Sequence, residues 1–278
     1  MRLKNVRRSQ NIEDRRRSSA GGKAGVGGVG LLVILAIGYF AGIDVSPFLE
    51  QPAAPQSSEP RELTTAEQRA GDFTAKVLGT TEQVWDVLLP EQAGLEYTPP
   101  KLVLYSGVTQ SPCGGASGAT GPFYCPADEK AYLDTDFFAT MAQQLGAGGD
   151  FAAAYVVAHE VAHHIQNELG ILNEVHGLRQ QSDEVTANAL TVRLELQADC
   201  LSGVWAHYVD GLLEPGDIDE ALNAARQIGD DTLQRNAGRV PQPHTFTHGT
   251  SEQRSRWFAT GYKSGDMRSC DTFNTDRL

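Results

Sequence analysis

Two histidines four residues apart, with a glutamate directly after the first, stand in the segment AHEVAHH, residues 158–164. On a helix, His159 and His163 share one face with their Cβ atoms about 6 Å apart, so both imidazoles can ligate one ion. Glu160 projects beside the pair, where a carboxylate can take a proton from metal-bound water. This donor set suits zinc, and one ion per chain is expected. Tyr155, Val156, Val157, Ala158, Val161, Ala162 and Ile165 make the helix apolar nearly all round. Such a helix is buried, and two His with a Glu are costly there without a task.

A catalytic zinc takes a third protein ligand and keeps one position open. In ELQAD, residues 195–199, Glu195 and Asp199 again sit at i and i+4. Glu195 is expected to ligate, and Asp199 to accept a hydrogen bond from the far nitrogen of a zinc-bound His. Leu194, Leu196, Ala198, Leu201, Val204 and Trp205 make this second helix apolar too. His248, in THGTSEQR just before a helix, allows two readings: it caps that helix, or, as its resemblance to the histidine downstream of the ligands in Glu-ligand zinc peptidases implies, it stabilises an oxyanion. Arg254 and Tyr262 are further candidates for the oxyanion. His164 points about 100° away from His163 and cannot share its ion. His176, His207 and His244 read as surface or satisfied polar residues.

The elements that must position these groups are mostly helical. Thr64 or Thr65 can cap a helix running to about Leu89, and Asp150 one from Phe151 to about Leu169, stopped by Gly170. Further helices are expected over 182–208, Asp217 to Gly229, Phe137 to Leu145, and Thr250 to Tyr262. Thr250 and Gln253 have the spacing of a capping box. Lys101 to Val108 and Lys130 to Asp134 (KAYLD) read as strands, with a Gly-rich loop over 109–122. The expected fold class is α+β, a mainly helical zincin-like metallopeptidase domain with a small sheet. An extended substrate could pair with KAYLD if that strand lies at an edge.

The chain has 278 residues and a net charge of −12, unevenly spread. Residues 1–23 carry eight Lys/Arg against Glu13 and Asp14, so the remainder is strongly acidic. An acidic body repels phosphate backbones, and no nucleic-acid partner is expected. Ala24 to Ile43 carries no charge over 20 residues, about 30 Å as a helix, the depth of a bilayer core. A cleaved signal peptide would have a shorter apolar region and a small-residue cleavage site. An uncleaved transmembrane signal anchor is therefore favoured, with 1–23 as a basic cytoplasmic segment. The Pro/Ser/Gln-rich stretch 44–60 then serves as a linker, and 61–278 forms a metallopeptidase domain outside the cell membrane. Cys113, Cys125, Cys200 and Cys270 form no CxxC pair, and an even count in an exported domain suggests two disulfides. Closing Cys113 on Cys125 is the most economical choice and leaves Cys200 for Cys270.

HExxH followed by a helical ExxAD resembles the Glu-ligand zinc peptidases, the gluzincins. Over nearly its whole length the chain resembles the bacterial putative neutral zinc metallopeptidase family. That resemblance is carried by RRSQNIEDRR (7–16), FYCPADEKAYLD (123–134), AHEVAHHIQN (158–167), LELQADCLSGVWAH (194–207) and FTHGTSEQRSRWFATGYKSGD (246–266). It implies membrane attachment, zinc, and hydrolysis of a peptide or protein substrate. The chemistry would be water activated by the metal, with Glu160 as general base. The rival reading is a non-catalytic zinc-binding envelope module, which would need ligands but no general base. A cell-wall amidase would use the same zinc chemistry.

Overall fold

The computed structural model describes residues 1–17, 62–117 and 121–278. The apolar run 24–43 and the linker 44–60 lie outside the described residues. Among the described residues no helix is long and apolar enough to cross a membrane.

The expected mixture of helices and a small sheet is present. Strands β1 (Ile12–Asp14), β2 (Lys101–Tyr105), β5 (Phe123–Cys125) and β6 (Lys130–Asp134) form one sheet in the order β1-β2-β6-β5. The first three run parallel and β5 pairs antiparallel with β6. Strands β3 (Val108–Ser111) and β4 (Gly114–Ser117) make a separate hairpin where a loop was expected. Period-2 alternation sorts the side chains of the central strands. Leu102, Leu104, Ala131 and Leu133 face the helical core, and Val103, Tyr105 and Tyr132 face a small second cluster that includes Cys125. KAYLD is hydrogen-bonded on both sides, so it offers no free edge; the edges are β1 and β5.

Helix α1 (Thr65–Ala93) starts at the capping box of Thr64 and Glu67 and runs past Pro90 to Gly94. Helix α2 (Phe137–Gln144) leads to α3 (Asp150–Glu168), the central element. Asp150 does not cap α3: the N-cap is Gly149, and Glu220 accepts the Phe151 amide hydrogen instead. Helices α4 (Ile171–Gln180), α5 (Glu184–Tyr208), α6 (Asp217–Gln227), α7 (Asp230–Asn236) and α8 (Ser251–Ser264) complete the set. Helix α3 packs against α1, α5 and α6, and Phe151 stacks on Trp205 of α5 with centroids 5.7 Å apart.

Helices α5 and α8 cross so closely that glycine is required on both. A Cβ on Gly203 would lie 2.1 Å from the Phe258 carbonyl oxygen, and one on Gly261 would lie 1.9 Å from that of Cys200. The bridge Cys200–Cys270 fastens the chain after α8 to α5, and Cys113–Cys125 ties the hairpin to β5.

Residues 1–17, expected to stand apart as part of a basic cytoplasmic segment, are built into the domain. Met1 and Leu3 are buried in the main core, and β1 extends the sheet along β2. Glu82, buried on α1, accepts hydrogen bonds from Arg7, Ser9 and Asn11. Arg16, also buried, pairs with Asp14 and donates to the Glu67 carbonyl. A buried carboxylate whose side-chain partners all come from one segment is costly once that segment leaves. Glu82→Ala should therefore strand Ser9 and Asn11 and lower stability by about 1–3 kcal/mol, read as a fall in Tm. An unchanged Tm would contradict this account of the segment.

Candidate metal centre

Helix α3 carries His159, Glu160 and His163, and α5 carries Glu195 and Asp199; the packing of α3 on α5 brings all five together. His159 Nε2 lies 3.1 Å from Glu195 Oε2, and His163 Nε2 lies 3.5 Å from Glu195 Oε1. The three ligand atoms fall within 4.8 Å of one another, close enough to share one ion. A second acidic group of Asp150, Asp217 and Glu220 meets the same distance test. Its Asp150 and Asp217 face the Met1 amino group.

Polar groups stand behind both imidazoles. His159 Nδ1 lies 2.9 Å from Asp199 Oδ1, although off the line of a good hydrogen bond. Arg254 donates to both carboxylate oxygens of Asp199, and the Tyr155 hydroxyl donates to Oδ1. The His163 partner was not anticipated from the sequence: its Nδ1 lies 2.8 Å from Oε1 of Gln166. The Gln166 amide orientation is settled by its other end, because Nε2 donates to the Leu194 carbonyl, which can only accept. His163 therefore donates through Nδ1, and its Nε2 lone pair is free for a cation. Gln166 Nε2 also reaches Gln197 Oε1, and Gln197 donates to the Cys270 carbonyl, which links the metal face to the second disulfide. The available signal was a buried amide one helical turn after a ligand.

Electrostatically the cluster is built for a positive charge. Burial pushes His159 down, but Asp199 and Glu195 outweigh it and hold the group up at about 10. Burial pushes Glu195 up, yet the His163 charge and the hydrogen bonds to both His residues hold it well below the ordinary carboxylate range. Metal-free His159 thus keeps a proton at neutral pH, and a cation taken up there displaces it. Glu160 is raised, chiefly by burial, against the pull of His163 and His159. Its Oε2 is buried without a hydrogen-bond partner. A buried carboxylate oxygen with no protein partner, beside two imidazoles whose Nε2 atoms converge on Glu195, fits a bound metal with its water.

His248 is brought to the site. It lines, with His159 and Glu160, both a cavity of about 160 Å³ and one of about 320 Å³. It is not a helix cap, because Thr250 fills that position with Gln253. Asp230 holds its loop by accepting the backbone N–H groups of Thr247, His248 and Gly249. Arg254 borders the smaller cavity, but its guanidinium is engaged by Asp199. Tyr262 donates to Asp210, outside the site. His164 lies 2.6 Å through Nε2 from the Thr98 carbonyl and 3.0 Å through Nδ1 from the Tyr124 hydroxyl; it takes no part in the ligand set. His176 faces Gln180, His207 faces the Tyr262 carbonyl, and His244 is exposed.

A histidine pair with its intervening glutamate on one helix, completed by a glutamate from the next, is the arrangement of the Glu-ligand zinc hydrolases. The chain belongs to the putative neutral zinc metallopeptidase family, whose model matches residues 1–273. It is 45% identical to the uncharacterised protein YpfJ of Escherichia coli K12, over 98% of this chain and 99% of that one. It is also 45% identical to the uncharacterised protein Rv2575 of Mycobacterium tuberculosis H37Rv, over 72% of this chain and 69% of that one. No solved structure matches the chain.

Gln166→Ala should keep the fold and lower zinc affinity about 10- to 100-fold, read by competition with a chromogenic chelator. Reducing Cys200–Cys270 should weaken zinc binding in the same direction. Wild-type affinity in both cases would disconnect this network from the metal.

Proposed function

We propose that the protein is a zinc-dependent peptidase that hydrolyses peptide bonds with Glu160 as general base. One observation carries this: Glu160 is buried next to the ligand triad with a free carboxylate oxygen and a raised proton affinity. A structural zinc site needs ligands and nothing more, so that placement favours catalysis over the non-catalytic envelope module. His159, His163 and Glu195 would hold one zinc, which when bound supplies Lewis acidity toward a carbonyl and an acidified water. Glu160 accepts the water proton and returns it to the leaving amine. Burial raises that carboxylate's proton affinity for the first transfer, and the opposing pull of His163 and His159 favours the second. His248, about half exposed at the mouth, is placed to donate to the oxyanion.

The substrate would be a peptide or protein lying extended along β5, the edge strand on the side of the metal ligands. Strand β5 is well held for that purpose. Phe123 stacks on Tyr132 at 4.8 Å, Tyr124 bonds His164, and Cys125 is bridged to Cys113. Pro122, Phe123 and Tyr124 line the larger cavity beside the metal ligands. The smaller cavity is walled by Pro122, Phe137, Val156, Ile228 and Leu233, which suits an apolar side chain. An extracytoplasmic, membrane-attached location is part of the proposal, supported by the two disulfides and the apolar run 24–43.

Glu160→Gln should bind zinc as the wild type does and lose nearly all hydrolysis, because shape is kept and basicity removed. His163→Ala and Glu195→Ala should lose the metal itself. His248→Ala should keep zinc and turn over on the order of a hundredfold more slowly. Zinc content and peptide-library cleavage measure each. A fully active Glu160→Gln would remove Glu160 from the mechanism, and a wild type inert across broad libraries would favour the non-catalytic module.

A further inference from the structure

The basic motif RRSQNIEDRR has no part in the metal chemistry, yet it is among the most closely engaged stretches of the surface. Arg7 meets Glu82, Arg8 meets Asp72, Arg15 meets Glu13 and Arg16 meets Asp14. Arg15 also donates to Thr109 and to the Gln110 carbonyl on the hairpin. The Ser9 amide donates to the Ala75 carbonyl of α1, and the Leu102 amide to the Asn11 carbonyl. A Cβ on Gly79 would fall 2.3 Å from the Arg7 carbonyl oxygen, so α1 leaves room for this backbone. Residues 1–17 thus fill a groove shaped for them.

The two ends that border segment 18–61 meet at one place. Arg16 donates to the Glu67 carbonyl in the first turn of α1, and its guanidinium lies where a Cβ on Gly71 would go. Residues 17 and 62 therefore leave from the same corner of the domain. One crossing of a membrane by residues 24–43 would put them on opposite faces of about 30 Å of hydrocarbon. Docking and a single crossing exclude each other.

We propose that residues 1–17 lie on the same side of the membrane as the metal centre. A single membrane crossing between the segment and the domain is incompatible with this docking. The positive-inside rule reads those Lys and Arg as a cytoplasmic signal. In the folded chain four of the arginines answer carboxylates of the domain or of their own segment, and the segment could not be drawn out without stranding the buried Glu82, which accepts from Arg7, Ser9 and Asn11. Lys4 and Arg8 join Arg69 and Lys76 around one hollow on α1, so this basic surface is shared between segment and domain. The inference is independent of the peptidase reading, since it uses no residue of the metal centre.

Cysteine labelling in intact cells tests it. Lys4→Cys reports on the segment and Glu91→Cys on the domain; both positions are exposed, and the four native cysteines are bridged. Each full-length variant is treated with a membrane-impermeant maleimide before and after lysis of spheroplasts. The proposal expects the same result at both positions, either labelled before lysis or labelled only after it. Labelling of Glu91→Cys before lysis and of Lys4→Cys only after it, or the reverse, would overturn it.

Discussion

The structure depends on one electrostatic constraint: two carboxylates, Glu195 and Asp199, lie against two imidazoles between α3 and α5, and of the two only Asp199 has an arginine partner, Arg254. Glu195 and Asp199 face His159 from α5, and without a cation they raise the proton affinity of that imidazole to about 10. Burying those carboxylates unpaired would cost several kcal/mol each. A metal held by His159, His163 and Glu195 would supply positive charge there and tie α3 to α5. The residues behind them, Arg254 on Asp199 and Gln166 on His163, point each Nε2 toward the same space.

Much of the remaining architecture holds α3 and α5 in register. Phe151 on Trp205, the glycine contacts of Gly203 and Gly261, and the Cys200–Cys270 bridge all fasten α5 to its neighbours. The sheet serves the site differently. Its buried parallel strands are filler between helical core and hairpin, while β5 places Phe123 and Tyr124 beside the ligands.

That His159, Glu160, His163, Glu195 and Asp199 would come together was legible because local spacing encodes it: HExxH and ExxAD are each one helical turn, and a turn puts its residues on one face. The helices bearing them were legible from apolar periodicity, and the Thr250 capping box from its own spacing. Long-range pairing was less so. KAYLD alternates as an edge strand does, yet β2 and β5 cover both its sides. The three-residue strands β1 and β5 are too short to show a period. Gln166 carries no charge and lies outside HExxH, so only its burial and partners reveal its place behind His163. The basic segment misled for a different reason: its charges are matched by Glu82 and Asp72, more than 60 residues away in sequence, and charge counting cannot see such pairing.

The most direct measurement of the central claim is metal analysis of the full-length protein purified without chelator. The account predicts one zinc per chain, removable by chelation, restored on addition of zinc and absent from Glu195→Ala. No zinc as purified and no uptake on addition, in a protein whose folded state is verified by its thermal transition, would contradict it.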